Sequence, residues 1–196
     1  AAPRVAGVSA ERLRDELVGI LGEPTAAGGL RALDRLGVLP VLLPESVAMR
    51  ATAQPLPHHF DVWEHSLRTV EGVDLLLADL DALTPWGAPL RAHLEERLGG
   101  ELTRIVILKL AALLHDVAKP ETRSVDPDGR ARFTGHDRLG AERVHAIAAR
   151  LRWPGPGPDV LARLVRQHLG PMHLGMLDEV SRRARYRFHR DVGEEV

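Results

Sequence analysis

The 196 residues are 44% hydrophobic and carry a formal charge of -1, the balance of an ordinary soluble protein of one to two domains. That balance implies neither a nucleic-acid-coating protein nor a membrane binder, and the absence of cysteine excludes disulfides and thiolate zinc sites, leaving histidine and carboxylate as metal donors. No apolar run reaches the roughly 18 residues of a membrane span and the first residues lack a secretory pattern, so a cytoplasmic setting is expected.

Helical periodicity dominates the chain, and the predicted fold class is all-α. Ser9 reads as the N-cap of a first helix whose Leu13, Leu17, Ile20 and Leu21 share one face. Leu30, Leu33 and Leu36 form a second stripe that Gly37 ends. Trp63, Leu67, Val70 and Leu77 make a third, on a helix from about Asp61 to Leu80 that carries His65. Thr84 to Gly100 contains Trp86-Gly-Ala-Pro89 and ends in Gly-Gly, so it reads as a connection with a short helix, roughly Leu90 to Leu98. Ile105 to Leu114 is apolar nearly all round, which in a helix means burial. Ala141 to Leu151 and Val160 to Leu169 are amphipathic and separated by Trp153-Pro-Gly-Pro-Gly-Pro158, which cannot be helical. The single strand-like stretch is Arg130 to Thr134, after the Asp126-Pro-Asp-Gly129 turn, and it forms at most a hairpin.

Histidines give this helical array its chemistry. His65, His115-Asp116, His136 and His168 occur in that order, and the adjacent His-Asp pair closes the apolar helix. An imidazole and a carboxylate delivered into low dielectric need a cation, a charge partner or an altered protonation state. Neighbouring helix positions diverge by about 100°, so His115 and Asp116 reach one ion only where the helix ends, or Asp116 bridges two ions while His115 binds one. Nitrogen and oxygen donors favour transition metals over calcium, so the expected cofactor is one or two ions of nickel, manganese, cobalt, iron or zinc. Taken singly, His65 or His168 reads as a surface or hydrogen-bonded histidine; the series is what points to metal.

The constellation of His65, Leu113-Leu-His-Asp-Val-Ala-Lys-Pro120, Gly135-His-Asp-Arg-Leu-Gly140 and Val165-Arg-Gln-His168 resembles the HD superfamily of metal-dependent phosphohydrolases. Phe133 to Glu142 and His59 to Leu67 are similar to the HD region of bacterial tRNA nucleotidyltransferases, the poly(A) polymerase-like family. Val8 to Leu17, Gly29 to Pro40 and Leu43-Pro-Glu45 resemble the neck of those enzymes. The resemblance implies a helical neck over residues 1–50 and an HD domain over 51–196. It also implies that His65, His115 and Asp116 hold a first ion and that His136 and His168 complete a second, with Asp191 as the closing carboxylate and Asp178 behind it. Each of these last two aspartates, read on its own, is a solvated surface charge before it is a ligand, and Asp137, just before the helix of Ala141 to Leu151, also fits an N-cap. The family's nucleotidyl-transferring head carries a Gly-Ser or Gly-Gly turn followed by paired aspartates, which nothing here matches. The chain therefore reads as the neck and HD body of a longer enzyme or as a free-standing relative.

A phosphate substrate needs cations. Lys119 follows the His-Asp pair by less than a helical turn and, with Asp116, is the expected catalytic residue; Arg123, Arg132 and Arg138 flank the same connection as candidates for substrate binding. Ser181 to Arg190 interleaves arginines with Tyr186 and Phe188, so Arg182, Arg183 and Arg187 are candidates for RNA contact. The competing reading is a terminal helix that packs Ala184 and Phe188 inward. Two functions follow. One is a phosphohydrolase acting on phosphoesters of nucleotides or RNA ends, of the phosphatase or 2′,3′-cyclic phosphodiesterase type. The other is a tRNA-binding structural body of a CCA-adding or poly(A) polymerase-like enzyme. Neither involves a membrane.

Overall fold

The computed structural model describes residues 7–193; the first six residues of the expected neck and the last three of the chain lie outside the described residues. Four helices form the N-terminal segment: α1 (Ala10–Gly22), α2 (Ala26–Arg35), α3 (Leu39–Leu42) and α4 (Glu45–Arg50). The Ser9 hydroxyl accepts from the Arg12 amide and caps α1, while Leu17 and Leu21 bury the stripe that the sequence showed. Gly37, at φ 69°, takes the left-handed turn that ends α2 and redirects the chain.

α5 (Val62–Ala78) starts at Asp61, whose carboxylate accepts from the Glu64 amide, and buries Val62, Trp63, Leu67 and Val70. α6 (Leu80–Leu83) and α7 (Gly87–Leu94) follow. Here the expectation of a helix over Leu90 to Leu98 is corrected. α7 begins and ends earlier, and β1 (Arg97–Gly99) pairs antiparallel with β2 (Leu102–Thr103). Gly99 and Gly100, at φ 136° and 57°, make the reversal that a helix could not.

α8 (Arg104–Leu114) is the central pillar, capped by the Thr103 hydroxyl and buried on nearly every side. Each of its buried leucines contributes about 2 kcal/mol through burial. α9 (Lys119–Thr122) leads into a second hairpin, β3 (Ser124–Val125) with β4 (Ala131–Arg132), around the turn expected there. α10 (His136–Arg150), α11 (Gly157–Gln167), α12 (Gly170–Gly175) and α13 (Arg182–Val192) complete the chain. α10 starts five residues ahead of Ala141: Gly135, at φ 82°, is its N-cap instead of Asp137, so His136 is its first residue. α11 likewise takes Gly157 and Pro158 from the Pro-Gly linker, because a proline in the first turn has no hydrogen bond to lose.

α8 packs against α1, α5 and α11, and α10 against α11. Leu17, Leu30 and Met49 belong to the same apolar cluster as Trp63, Leu110, Val144 and Leu161, so residues on both sides of position 50 share one core. Polar ties reinforce it: Arg31 forks onto Glu64 with both bonds at 2.8 Å, and Arg14 donates to the Arg152 carbonyl at 2.6 Å. Among the described residues the two short hairpins are the only strands, and no helix is long and apolar enough to cross a membrane.

Candidate metal centre

Five side chains from four places in the chain converge, four imidazoles around one carboxylate. Asp116, two residues past the end of α8, is 1% exposed. Its Oδ2 lies 3.0 Å from His115 Nε2 and 3.6 Å from His65 Nε2; its Oδ1 lies 3.3 Å from His136 Nε2 and 3.8 Å from His168 Nε2. The cluster thus forms two triads that share Asp116, one with His65 and His115 and the other with His136 and His168, each compact enough to hold a metal ion. α5 contributes His65, the end of α8 His115 and Asp116, the start of α10 His136, and the end of α11 His168. Helix ends matter here: they free adjacent residues from the 100° divergence that would send His115 and Asp116 apart.

Ring orientation is set locally. His115 Nδ1 donates to the Ala112 carbonyl at 2.9 Å, His136 Nδ1 to the Phe133 carbonyl at 2.7 Å, and His168 Nδ1 to the Val165 carbonyl at 2.7 Å. A carbonyl only accepts, so in the neutral rings Nδ1 carries the proton and Nε2 presents a lone pair. His136 Nε2 and His168 Nε2 stand 3.2 Å apart, both facing Asp116 Oδ1. With the rings neutral in that tautomer, three acceptors converge, and neither Asp116 oxygen receives a well-directed hydrogen bond. Such a convergence fits a divalent cation.

Charge states agree with that donor set. Burial pushes His65 and His168 down to about 4, with the neighbouring His115 adding to the effect. Both rings are therefore neutral donors at neutral pH. Burial alone would raise the Asp116 carboxyl, but the Lys119 ammonium beside it acts in the opposite direction, and the carboxyl stays below the usual carboxylate range.

Lys119 is buried beside the cluster. Its Nζ lies 2.7 Å from Asp116 Oδ2, donates to Gln54 Oε1 at 2.6 Å and stands 5.4 Å from the centre of the Phe133 ring. A cavity of about 850 Å³ opens over the cluster, lined also by His58, whose ring meets His65 edge-on at 5.2 Å. Gln54 and His58 were missed from sequence. Gln54 carries no readable signal, and His58 differs from the neighbouring His59 only in where the loop places it.

Several expected residues lie elsewhere. Asp191 is not in the cluster: it sits on α13 paired with Arg190, next to Val192, whose burial against the body turns the adjacent position outward. Asp178 is exposed. Asp137 pairs with Arg166 within the first turn of α10. Of the three arginines, only Arg132 lines the cavity, and it is paired with Asp126; Arg123 and Arg138 are exposed and do not line it. Arg138 follows the inward His136 by two helical positions, about 200° around the axis. Arg182, Arg183 and Arg187 are exposed on α13, whose Phe188 packs near Gly170.

The fold and this cluster agree with the sequence comparisons. The chain belongs to the HD domain family, whose model matches residues 62–187. Residues 1–49 match a second family, described as the probable RNA and SrmB-binding site of polymerase A. The chain is 38% identical over 160 residues to the A-adding tRNA nucleotidyltransferase of Deinococcus radiodurans and 39% identical over 160 residues to the CC-adding tRNA nucleotidyltransferase of Thermus thermophilus, covering 81% of this chain and 31% of each relative. It is 31% identical to the bifunctional uridylyltransferase/uridylyl-removing enzyme of Mycobacterium tuberculosis, over 81% of this chain and 16% of that protein. The chain therefore spans about a third or less of these relatives. It is a neck and HD body related to tRNA nucleotidyltransferases.

Proposed function

We propose that the chain is a metal-dependent phosphohydrolase acting on phosphoesters of nucleotides or RNA ends. His65, His115 and Asp116 are the ligands of one ion, and Asp116, His136 and His168 those of a second. The observation that carries this reading is the convergence of His136 Nε2, His168 Nε2 and Asp116 Oδ1, with each ring turned inward by an Nδ1 contact to a carbonyl of its own backbone. The absence of cysteine and the imidazole majority favour manganese, iron, cobalt, nickel or zinc over calcium. A bound ion of this kind supplies positive charge at a phosphoryl oxygen and acidifies water. Asp116 holds the two halves of the cluster in register, and Lys119, already drawn toward Asp116 and Gln54, is placed to meet a phosphoryl oxygen. Purified protein reconstituted with each metal in turn, then screened on monoesters and 2′,3′-cyclic phosphates, tests this. Abolition of turnover in Asp116→Asn supports the reading; metal-loaded protein with no turnover on any phosphoester overturns it.

A second function is compatible with the first and rests on a different surface. The exposed Arg182, Arg183 and Arg187 of α13, with Tyr186 beside them 68% exposed, fit contact with the RNA backbone and stacking on a base. Similarity to tRNA nucleotidyltransferases makes tRNA the favoured partner. In this reading residues 1–50 and 51–196 divide the work as neck and HD body, although they share one core. Binding of tRNA that is unaffected by replacing the three arginines would remove this role.

A further inference from the structure

The cavity continues past the histidines, and its continuation is chemically different. Three of the helices that bring ligands to the cluster also bring apolar side chains to the same cavity: Val73 on α5, Leu108 and Ala112 on α8, and Leu164 on α11, with Met172 of α12 beside them. Val73 lies eight residues from His65 and Leu108 seven from His115, so this lining extends about 10–12 Å from the cluster along the helices. Thr69, between His65 and Val73, spends its hydroxyl on the His65 carbonyl at 2.9 Å. Every charged or titratable residue lining the cavity is a histidine, Asp116, Lys119 or Arg132, and Arg132 is already paired with Asp126. A second phosphate lying along the apolar lining would lose its hydration without gaining a cation.

We propose that this extension is a subsite for one flat, uncharged ring, so that the site selects phosphoesters with a single phosphate and an aromatic or nucleobase-like substituent. Esters that place a second anion in the slot are selected against. The volume of about 850 Å³ suits one small molecule of that kind and its phosphate together. The inference rests on the hydrolytic reading, and its test separates the two.

Manganese-loaded protein is titrated calorimetrically with methylphosphonate and with naphthylmethylphosphonate, which share an anion and differ in the ring. Burial of the ring predicts binding about tenfold tighter or better for the naphthyl compound. Val73→Trp and Leu164→Trp, each filling the slot from a different helix, should bring the two affinities together in folded protein that still holds manganese. Equal affinities in the unaltered protein, or a preference that survives in both variants, overturns the subsite while leaving hydrolysis standing. If neither phosphonate binds the manganese-loaded protein, the hydrolytic reading falls and the subsite falls with it.

Discussion

The ammonium of Lys109 lies 2.8 Å from Asp74 Oδ1 and donates to the Glu23 carbonyl at 2.6 Å, and the lysine and aspartate side chains are both buried. Asp74 Oδ2 in turn accepts from the Ala27 amide at 2.9 Å, at the start of α2. One ion pair therefore joins α5 and α8 to the link between the first two helices. Lysine occurs only twice in the chain, at 109 and 119, and both are spent on buried aspartates.

Removing one partner of such a pair leaves the other charge buried and alone. Lys109→Met should cost about 3–5 kcal/mol of stability. Denaturant unfolding measures it, and a destabilisation below about 1 kcal/mol would show that Asp74 finds another partner.

Metal content should separate the roles within the cluster. Asp116→Asn is expected to weaken both ions, whereas His65→Ala and His136→Ala should each weaken one and leave the other. Elemental analysis after dialysis gives the answer. Full metal retention in Asp116→Asn contradicts the shared-carboxylate arrangement.

Acid should destabilise the metal-free protein. His65 and His168 are depressed from 6.5 to about 4 in the folded state, so the unfolded chain takes up their protons first as pH falls. Their contribution is complete above pH 6.5 and fades as pH drops from there through about 4. Chelator-treated protein should have a lower Tm at pH 5 than at pH 7, and His168→Ala should narrow the gap. A Tm that is flat or rises on acidification contradicts the burial of these rings as neutral groups.

Salt should report on the exposed face of α13. Replacing Arg182, Arg183 and Arg187 with alanine should weaken tRNA binding and lower the slope of log affinity against log salt by about one for each phosphate no longer neutralised. An unchanged slope would place the RNA elsewhere.

The sequence showed the series of histidines that the structure gathers because each stands on, or at the end of, a helix whose apolar stripe fixes its face. His115 and Asp116 were readable for a second reason, since nothing else follows so apolar a helix. Gln54 was not readable. It reaches Lys119 from a loop whose path is set by tertiary packing. Asp191 failed for a related reason: which side of α13 faces the body depends on Val192 and Phe188, and that is set by tertiary packing. The β1–β2 hairpin escaped because two adjacent glycines mark a break without saying what flanks it.

Three of the four imidazoles in the cluster are anchored by their own backbone, each through Nδ1 to the carbonyl three residues before it. His65 is the exception. Among the described residues no hydrogen-bond partner meets its Nδ1, and 30% of its side chain faces solvent. The two halves of the cluster therefore differ in how firmly their rings are fixed even where their donors are alike. An ion between His136 and His168 would be held by two anchored rings, while one between His115 and His65 would have one donor without such an anchor. Two ions of the same element should leave to a chelator in two phases, and the faster belongs to the side with the unanchored ring.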